Sequence, residues 1–398
     1  MSHRVAITGL GGLCALGDTV SELWPALLAG RSGIGPLTAI PTDRIGARLA
    51  GQTRFDPDQH FEPRQLALLD RAAAMAIVVA REAMRDAGLT PDPAHATRRG
   101  VIMGAAIGQT SLDEAYLRFY GENAARVHPF TVPRLMPSAA ASQVSMDQGL
   151  RGPSFAVASA CASSNHAIGQ AADLIRTGRA DIMLAGGADA SIVVGVFKCW
   201  EGLRVLSAEG CRPFSKDRSG LVLGEGAAVL VLERWDHAVA RGARIVAEVA
   251  GYGMSADGMD ITAPDAGGAA ASMQGALDDS GLVAADIGYV NAHGTGTLLN
   301  DRTETAALHR VFGRHPPPVS SSKGAIGHTL CAGGGLEALI TVLALRDGML
   351  PPTVGFRVAD PECDIDPVPV ARAAPIRAAL SNSFAFGGLN ATLALVRA

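Results

Sequence analysis

The stretch PSFAVASACASSNHAIGQAADLIRTG, residues 153–178, decides the fold. Pro153 to Ala160 is small, β-branched and apolar, which predicts a buried strand. Ser163 to Arg176 keeps a helical apolar rhythm through Ala167, Ile168, Ala171, Ala172 and Ile175. Cys161 therefore falls at a strand-to-helix turn. The unpaired amides and positive end of the helix favour a thiolate there, which is the nucleophilic form of cysteine. Its small neighbours leave room for a substrate.

Parts of this unit recur downstream. Cys161-Ala162 aligns with Cys331-Ala332, and Ile175-Arg176-Thr177-Gly178 with Leu345-Arg346-Asp347-Gly348, at one constant offset. A second echo pairs Ala83-Met84-Arg85-Asp86-Ala87-Gly88-Leu89 with Ala276-Leu277-Asp278-Asp279-Ser280-Gly281-Leu282. Each ends a helical pattern at a glycine and runs through a polar turn into a strand, Gly100 to Gly104 in one case and Ile287 to Asn291 in the other. Strands alternating with helices of about 10–15 residues imply parallel sheets covered by helices, with ligands at the carboxyl ends of strands. The expected fold is α/β, built from two duplicated halves, residues 1–250 and 251–398. Their boundary is expected in the stretch Gly251 to Gly268, rich in glycine, aspartate and alanine.

Bulk composition narrows the function. In 398 residues, 48% apolar content and 47 glycines with only 5% aromatic residues suit closely packed layers of small side chains in one intertwined unit. A net charge of −4 leaves no basic excess to neutralise a phosphate backbone, so nucleic-acid binding is excluded. The chain opens on an immediate strand, Arg4 to Gly9, and no apolar run reaches the roughly 20 residues that span a bilayer. A reduced cytoplasmic protein without a membrane segment is expected. Cys14, Cys199, Cys211, Cys331 and Cys363 lack the setting of Cys161, and no Cys/His ligand spacing occurs, so no metal is expected.

Two histidines lie in glycine-rich turns: His293 in Asn-Ala-His-Gly-Thr-Gly-Thr (291–297), after the buried run Tyr289 to Ala292, and His328 in Lys-Gly-Ala-Ile-Gly-His-Thr (323–329). The first turn carries the hydroxyls of Thr295 and Thr297. The second is flanked by Lys323 and Glu337, a base and an acid.

Together with Arg212 to Arg218, Leu223 to Ala227 and Asn382-Ser383-Phe384-Ala385-Phe386-Gly387-Gly388, these motifs stand in the order seen in the β-ketoacyl-acyl-carrier-protein synthases. The chain resembles this group of decarboxylating condensing enzymes of the thiolase superfamily over essentially its whole length. The resemblance implies a thiolase-like five-layer αβαβα fold. It also implies a homodimer, or a heterodimer with a chain-length-factor-like subunit, that works with an acyl carrier protein. No cofactor is implied beyond the carrier's phosphopantetheine. By the same resemblance Cys161 accepts the acyl chain, and His293 and His328 hold the enolate formed when a malonyl carrier decarboxylates. Lys323, paired with Glu337, sets the charge around the second histidine. Thr295 and Thr297 bind the phosphopantetheine arm, and Phe386 is a gate whose amide joins that of Cys161 in an oxyanion hole. Phe384, Ile107, Trp200 and the partner's Leu135 line the substrate pocket, and Arg64, Arg126 and Arg204 match a carrier-docking surface.

Trp200 departs from the usual phenylalanine. With Lys198 to Arg204 and the run Met136 to Ala141, it is closer to nodulation-type and polyene-forming type II synthases, where an indole can pack on a conjugated tail. Two alternatives remain: a starter-unit or thiolase-type acyltransferase, and a tunnel-shaping subunit without chemistry. The first is expected to use a second cysteine or a histidine/asparagine pair, and the second lacks the nucleophile.

Overall fold

The computed structural model describes residues 3–106 and 108–398. Among these residues two five-stranded sheets repeat one plan. The first is built from β1 (Val5–Leu13), β2 (Arg99–Ala105), β3 (Ser154–Val157), β4 (Ile182–Asp189) and β5 (Gly226–Arg234), in the order β1-β5-β4-β2-β3. The second uses β6 (Ala247–Ala256), β7 (Ile287–Asn291), β8 (Val319–Ser320), β9 (Ala378–Ala385) and β10 (Leu389–Arg397), in the order β6-β10-β9-β7-β8. In each sheet the first two pairings are antiparallel and the last two parallel. A short pairing of Ala6 with Glu248 and Ile7 with Ala247 joins the sheets through β1 and β6.

Helix α1 (Arg71–Asp86) covers the outer face of the first sheet, and α3 (Ala266–Ser280) the outer face of the second. Between the sheets, α2 (Ser163–Arg176) and α4 (Gly333–Asp347) pack on each other and touch both. Helix α4 is buried without interruption from Gly333 to Leu345, as a helix of a central layer must be. The result is a thiolase-like αβαβα sandwich. No helix among the described residues is long and apolar enough to cross a membrane.

The internal echoes reflect repeated close packing. A Cβ on Gly9 would lie 2.2 Å from the Ala83 carbonyl oxygen, and one on Gly251 would lie 2.3 Å from that of Ala276. Gly11 and Gly253 stand the same way, 1.9 Å from the Val79 oxygen and 2.0 Å from the Ser272 oxygen. Only glycine lets α1 and α3 sit this close to β1 and β6. Gly251 and Gly253 are therefore packing residues inside a strand. A division at 250/251 would cut β6, which runs from Ala247 to Ala256.

The stretch around Cys161 also differs from its reading as a buried strand. Among the described residues only Ser154–Val157 is extended here, and Ser154 and Phe155 are exposed because β3 is the outermost strand of this chain's sheet, paired with β2. Past it the backbone turns through Ala160 at φ 47°, immediately before Cys161 and α2; Leu330 at φ 46° stands in the same relation to Cys331 and α4. A left-handed conformation at a residue with a Cβ is strained by about 1–2 kcal/mol, and the duplication keeps it twice.

Candidate active site

The elbow at Ala160 places Cys161 at the start of α2, held by Ser163, whose Oγ donates to the Ala160 carbonyl (2.6 Å) and accepts from the Ser159 amide (2.9 Å). Cys161 is 8% exposed and lines a cleft. Cys161 Sγ and one nitrogen from each of His293 and His328 lie within 4.8 Å of one another. The fold thus joins a residue of the first half to two turns of the second, His293 just past β7 and His328 ahead of α4.

Hydrogen bonds assign the tautomers of both imidazoles. The Leu330 amide donates to His328 Nδ1 at 3.2 Å, which leaves the proton on Nε2. Lys323 Nζ lies 3.4 Å from His293 Nδ1; an ammonium only donates, so His293 also carries its proton on Nε2. The rings meet edge to face, with centroids 5.3 Å apart. Burial pushes both imidazoles well below the ordinary histidine range, and the Lys323 charge adds to the push. They are neutral N–H donors at physiological pH. Two Nε2–H groups beside a lysine suit a developing anion rather than a metal cation. Lys323 is itself paired with Glu337, both being 1% exposed, and burial pushes the Glu337 carboxyl up to about 7. The lysine meets the first histidine directly, whereas the sequence linked it to the second.

For Cys161 the outcome differs from the thiolate expected at a helix start. Burial pushes its thiol up to about 12, against the opposing pull of the Lys323 charge. Desolvation of the sulfur outweighs the charges facing it.

Thr295, Thr297, Phe384, Phe386 and Trp200 line the cleft. The two threonine hydroxyls are 2.9 Å apart, and Phe384 lies beside the His293 ring, with centroids at 6.1 Å. Phe386 comes directly after β9 and is followed by Gly387 and Gly388 at φ 84° and 69°; its ring stacks on Trp200 at 5.8 Å and 23°. Arg204 is exposed at the mouth, between the lining residues Leu203 and Val205. Arg64 and Arg126 are exposed but are not among the residues of the cleft wall. Leu135, expected to line the cleft of a partner chain, is not among the lining residues of its own chain's cleft, and its carbonyl accepts from the Gly108 amide at 2.9 Å. Ile107 lies outside the described residues.

Sequence reasoning missed Glu304 and Leu330. Glu304, fully buried, accepts from the amides of His293 (2.9 Å) and Gly294 (2.8 Å) and from Asn382 (3.2 Å), and so fixes the His293 turn; burial lifts its carboxyl to about 7. The signal was present: in the helix Leu298–Phe312 the buried positions Asp301, Glu304, Thr305 and Leu308 put two acids on the inward face.

Fold and cleft together define a condensing acyltransferase of fatty-acid or polyketide synthesis, whose cleft brings one cysteine beside two neutral histidines. The β-ketoacyl synthase N-terminal domain matches residues 2–238 and the C-terminal domain residues 246–357. The chain belongs to the β-ketoacyl synthase family. It is 48% identical to Nodulation protein E of Rhizobium sp. (strain N33) across 99% of both chains. It is 40% identical to 3-oxoacyl-[acyl-carrier-protein] synthase 2 of Staphylococcus aureus (strain COL) across 98% of both. Among solved structures, the ishigamide ketosynthase/chain length factor superposes with a TM-score of 0.95 at 38% identity over the full length of both chains.

Proposed function

We propose that this condensing enzyme acts on carrier-bound substrates, with Cys161 as the acyl acceptor and His293 and His328 as the donors that hold the malonyl enolate. Cys161 Sγ attacks the acyl thioester and the carrier thiol leaves with the proton. The malonyl carrier then binds, its C–CO2 bond breaks, and the electron pair moves onto the thioester oxygen between the two Nε2–H groups. The enolate carbon attacks the Cys161 thioester, the C–S bond breaks, and a β-ketoacyl carrier departs. The convergence of one sulfur with a nitrogen of each histidine within 4.8 Å, both rings carrying their proton on Nε2, carries this reading. Preorganised donors beside a developing oxyanion are worth about 10²–10³-fold each.

Thr295 and Thr297 hold the pantetheine arm, and the Cys161 and Phe386 amides receive the first oxyanion. Carrier docking uses Arg204 at the mouth, with Arg64 and Arg126 farther out. The partner is a second copy or a chain-length-factor-like subunit, the latter supported by the likeness to the ishigamide ketosynthase/chain length factor. Trp200 in the cleft wall supports a flat, unsaturated acyl tail.

The test separates the half-reactions. His293→Ala and His328→Ala should each lower malonyl-carrier decarboxylation by on the order of 10²-fold while acyl transfer to Cys161 survives better, and Cys161→Ala should retain no acyl group by mass spectrometry. An acyl adduct that persists in the Cys161→Ala protein refutes the assignment.

A further inference from the structure

Trp200 and Phe386 stack in the wall of the cleft that holds Cys161, yet their backbones are anchored very differently. Trp200 sits in the helix Val194–Gly202. One turn earlier Phe197 is fully buried in the core, and the next residue, Glu201, accepts from the Ala47 amide at 2.7 Å and from Lys198 Nζ at 3.0 Å. The helix is thus pinned, and the partly buried indole packs against the hydrophobic core as a plate. Phe386 stands at a strand end before two left-handed glycines, and the first of these, Gly387, is exposed with no atom closer than 3.9 Å to its Cβ position. Its φ of 84° is not a packing demand, and its amide is tied only to the carbonyl of the exposed residue Ile261, at 2.8 Å. Of the two rings, Phe386 has the weaker backbone anchorage and is the one to swing, and Trp200 is the surface it must leave.

We infer that Trp200 is a positioning residue that latches the Phe386 ring in its resting place and so sets how often the cleft opens onto Cys161. The inference rests on the reading of Phe386 as a gate. An offset stack of two aromatic rings stabilises by an amount equivalent to about 2- to 12-fold in an opening equilibrium. A residue that only shaped the acyl pocket would act independently of Phe386; a latch acts through it.

The experiment is a double-mutant cycle read by the second-order rate of Cys161 alkylation with N-ethylmaleimide, a readout that needs no substrate and no condensing activity. Trp200→Leu should accelerate alkylation by about 2- to 12-fold, and Trp200→Phe, which keeps a ring to stack on, should stay within twofold of the parent. In a Phe386→Ala background Trp200→Leu should change the rate by less than twofold. Slowing, no change, or the same factor in both backgrounds overturns the latch. Acylation of Cys161 by a short carrier-free thioester, measured on the same four proteins, separates this from the proposed function: coupled alkylation without acylation keeps the latch and sinks the condensing reading, while acylation with uncoupled alkylation does the reverse.

Discussion

Replacing Lys323 by methionine dissects the site, because its ammonium touches both Glu337 and His293 Nδ1 in a fully buried pocket. Three effects follow. His293 loses the donor that fixes its proton on Nε2, so the ring is free to take the other tautomer and one enolate donor is lost, lowering decarboxylation by about 10²–10³-fold. Acyl transfer also slows, since the Lys323 charge is the main influence holding the Cys161 thiol down, but it does not use the enolate donor. Decarboxylation should fall at least about tenfold further than acylation. The third effect is on pH. Both imidazoles are held well below their ordinary range by burial and then by Lys323, and they donate as neutral rings only above their own pKa. In the parent enzyme the acid limb of decarboxylation therefore lies below the usual histidine range, and removing the positive charge must move it to higher pH. Carbon dioxide release from a malonyl carrier across pH 5–8, beside acylation by a radiolabelled thioester, measures all three. Breaking one side of a buried pair costs about 3–5 kcal/mol, so Lys323→Met/Glu337→Gln is the control; it should recover stability without recovering decarboxylation. Equal losses in the two half-reactions, or an acid limb that stays put, would refute the reasoning.

Because burial pushes the Cys161 thiol up to about 12, its alkylation by neutral iodoacetamide should climb with pH without a plateau below about pH 9; a plateau near neutrality would mean that the helix terminus outweighs desolvation. Glu304→Ala strands the His293 and Gly294 amides at about 1–3 kcal/mol each, and urea unfolding should show a matching loss; an unchanged midpoint would contradict the role given to that carboxylate. Cys331→Ala should leave acylation close to the parent rate, since the thiol echoes Cys161 in sequence but is not part of the Cys161–His293–His328 cluster, and a large loss would assign it a part in the chemistry. Arg126→Glu with Arg204→Glu should raise KM for a carrier-bound thioester and flatten its salt dependence while sparing a carrier-free one; equal losses on both substrates would place these arginines in the fold instead.

Much of the molecule was legible in the chain because the information is local. The turn at Cys161, the glycine turns around His293 and His328, and the echo of Ala83–Leu89 in Ala276–Leu282 all lie within short windows, and each corresponds to a real feature of backbone packing. Other features were misread for an equally physical reason. Glycines at 251 and 253 look like the boundary between two halves until a helix is laid on them, and an apolar strand looks buried until its place at the sheet edge is known.

The sequence by itself determined which side chains can react and that the fold is a duplication, since residue type and periodicity specify strands, helices and turns one at a time. Only the tertiary structure decided the state of those groups. The proton on His293 is set by Lys323, 30 positions away in sequence, and the burial of the Cys161 sulfur beside both histidines requires the two halves to be packed together. Protonation and desolvation depend on every charge and dipole within a few ångströms, and those neighbours come together only when the two sheets close on the central helices.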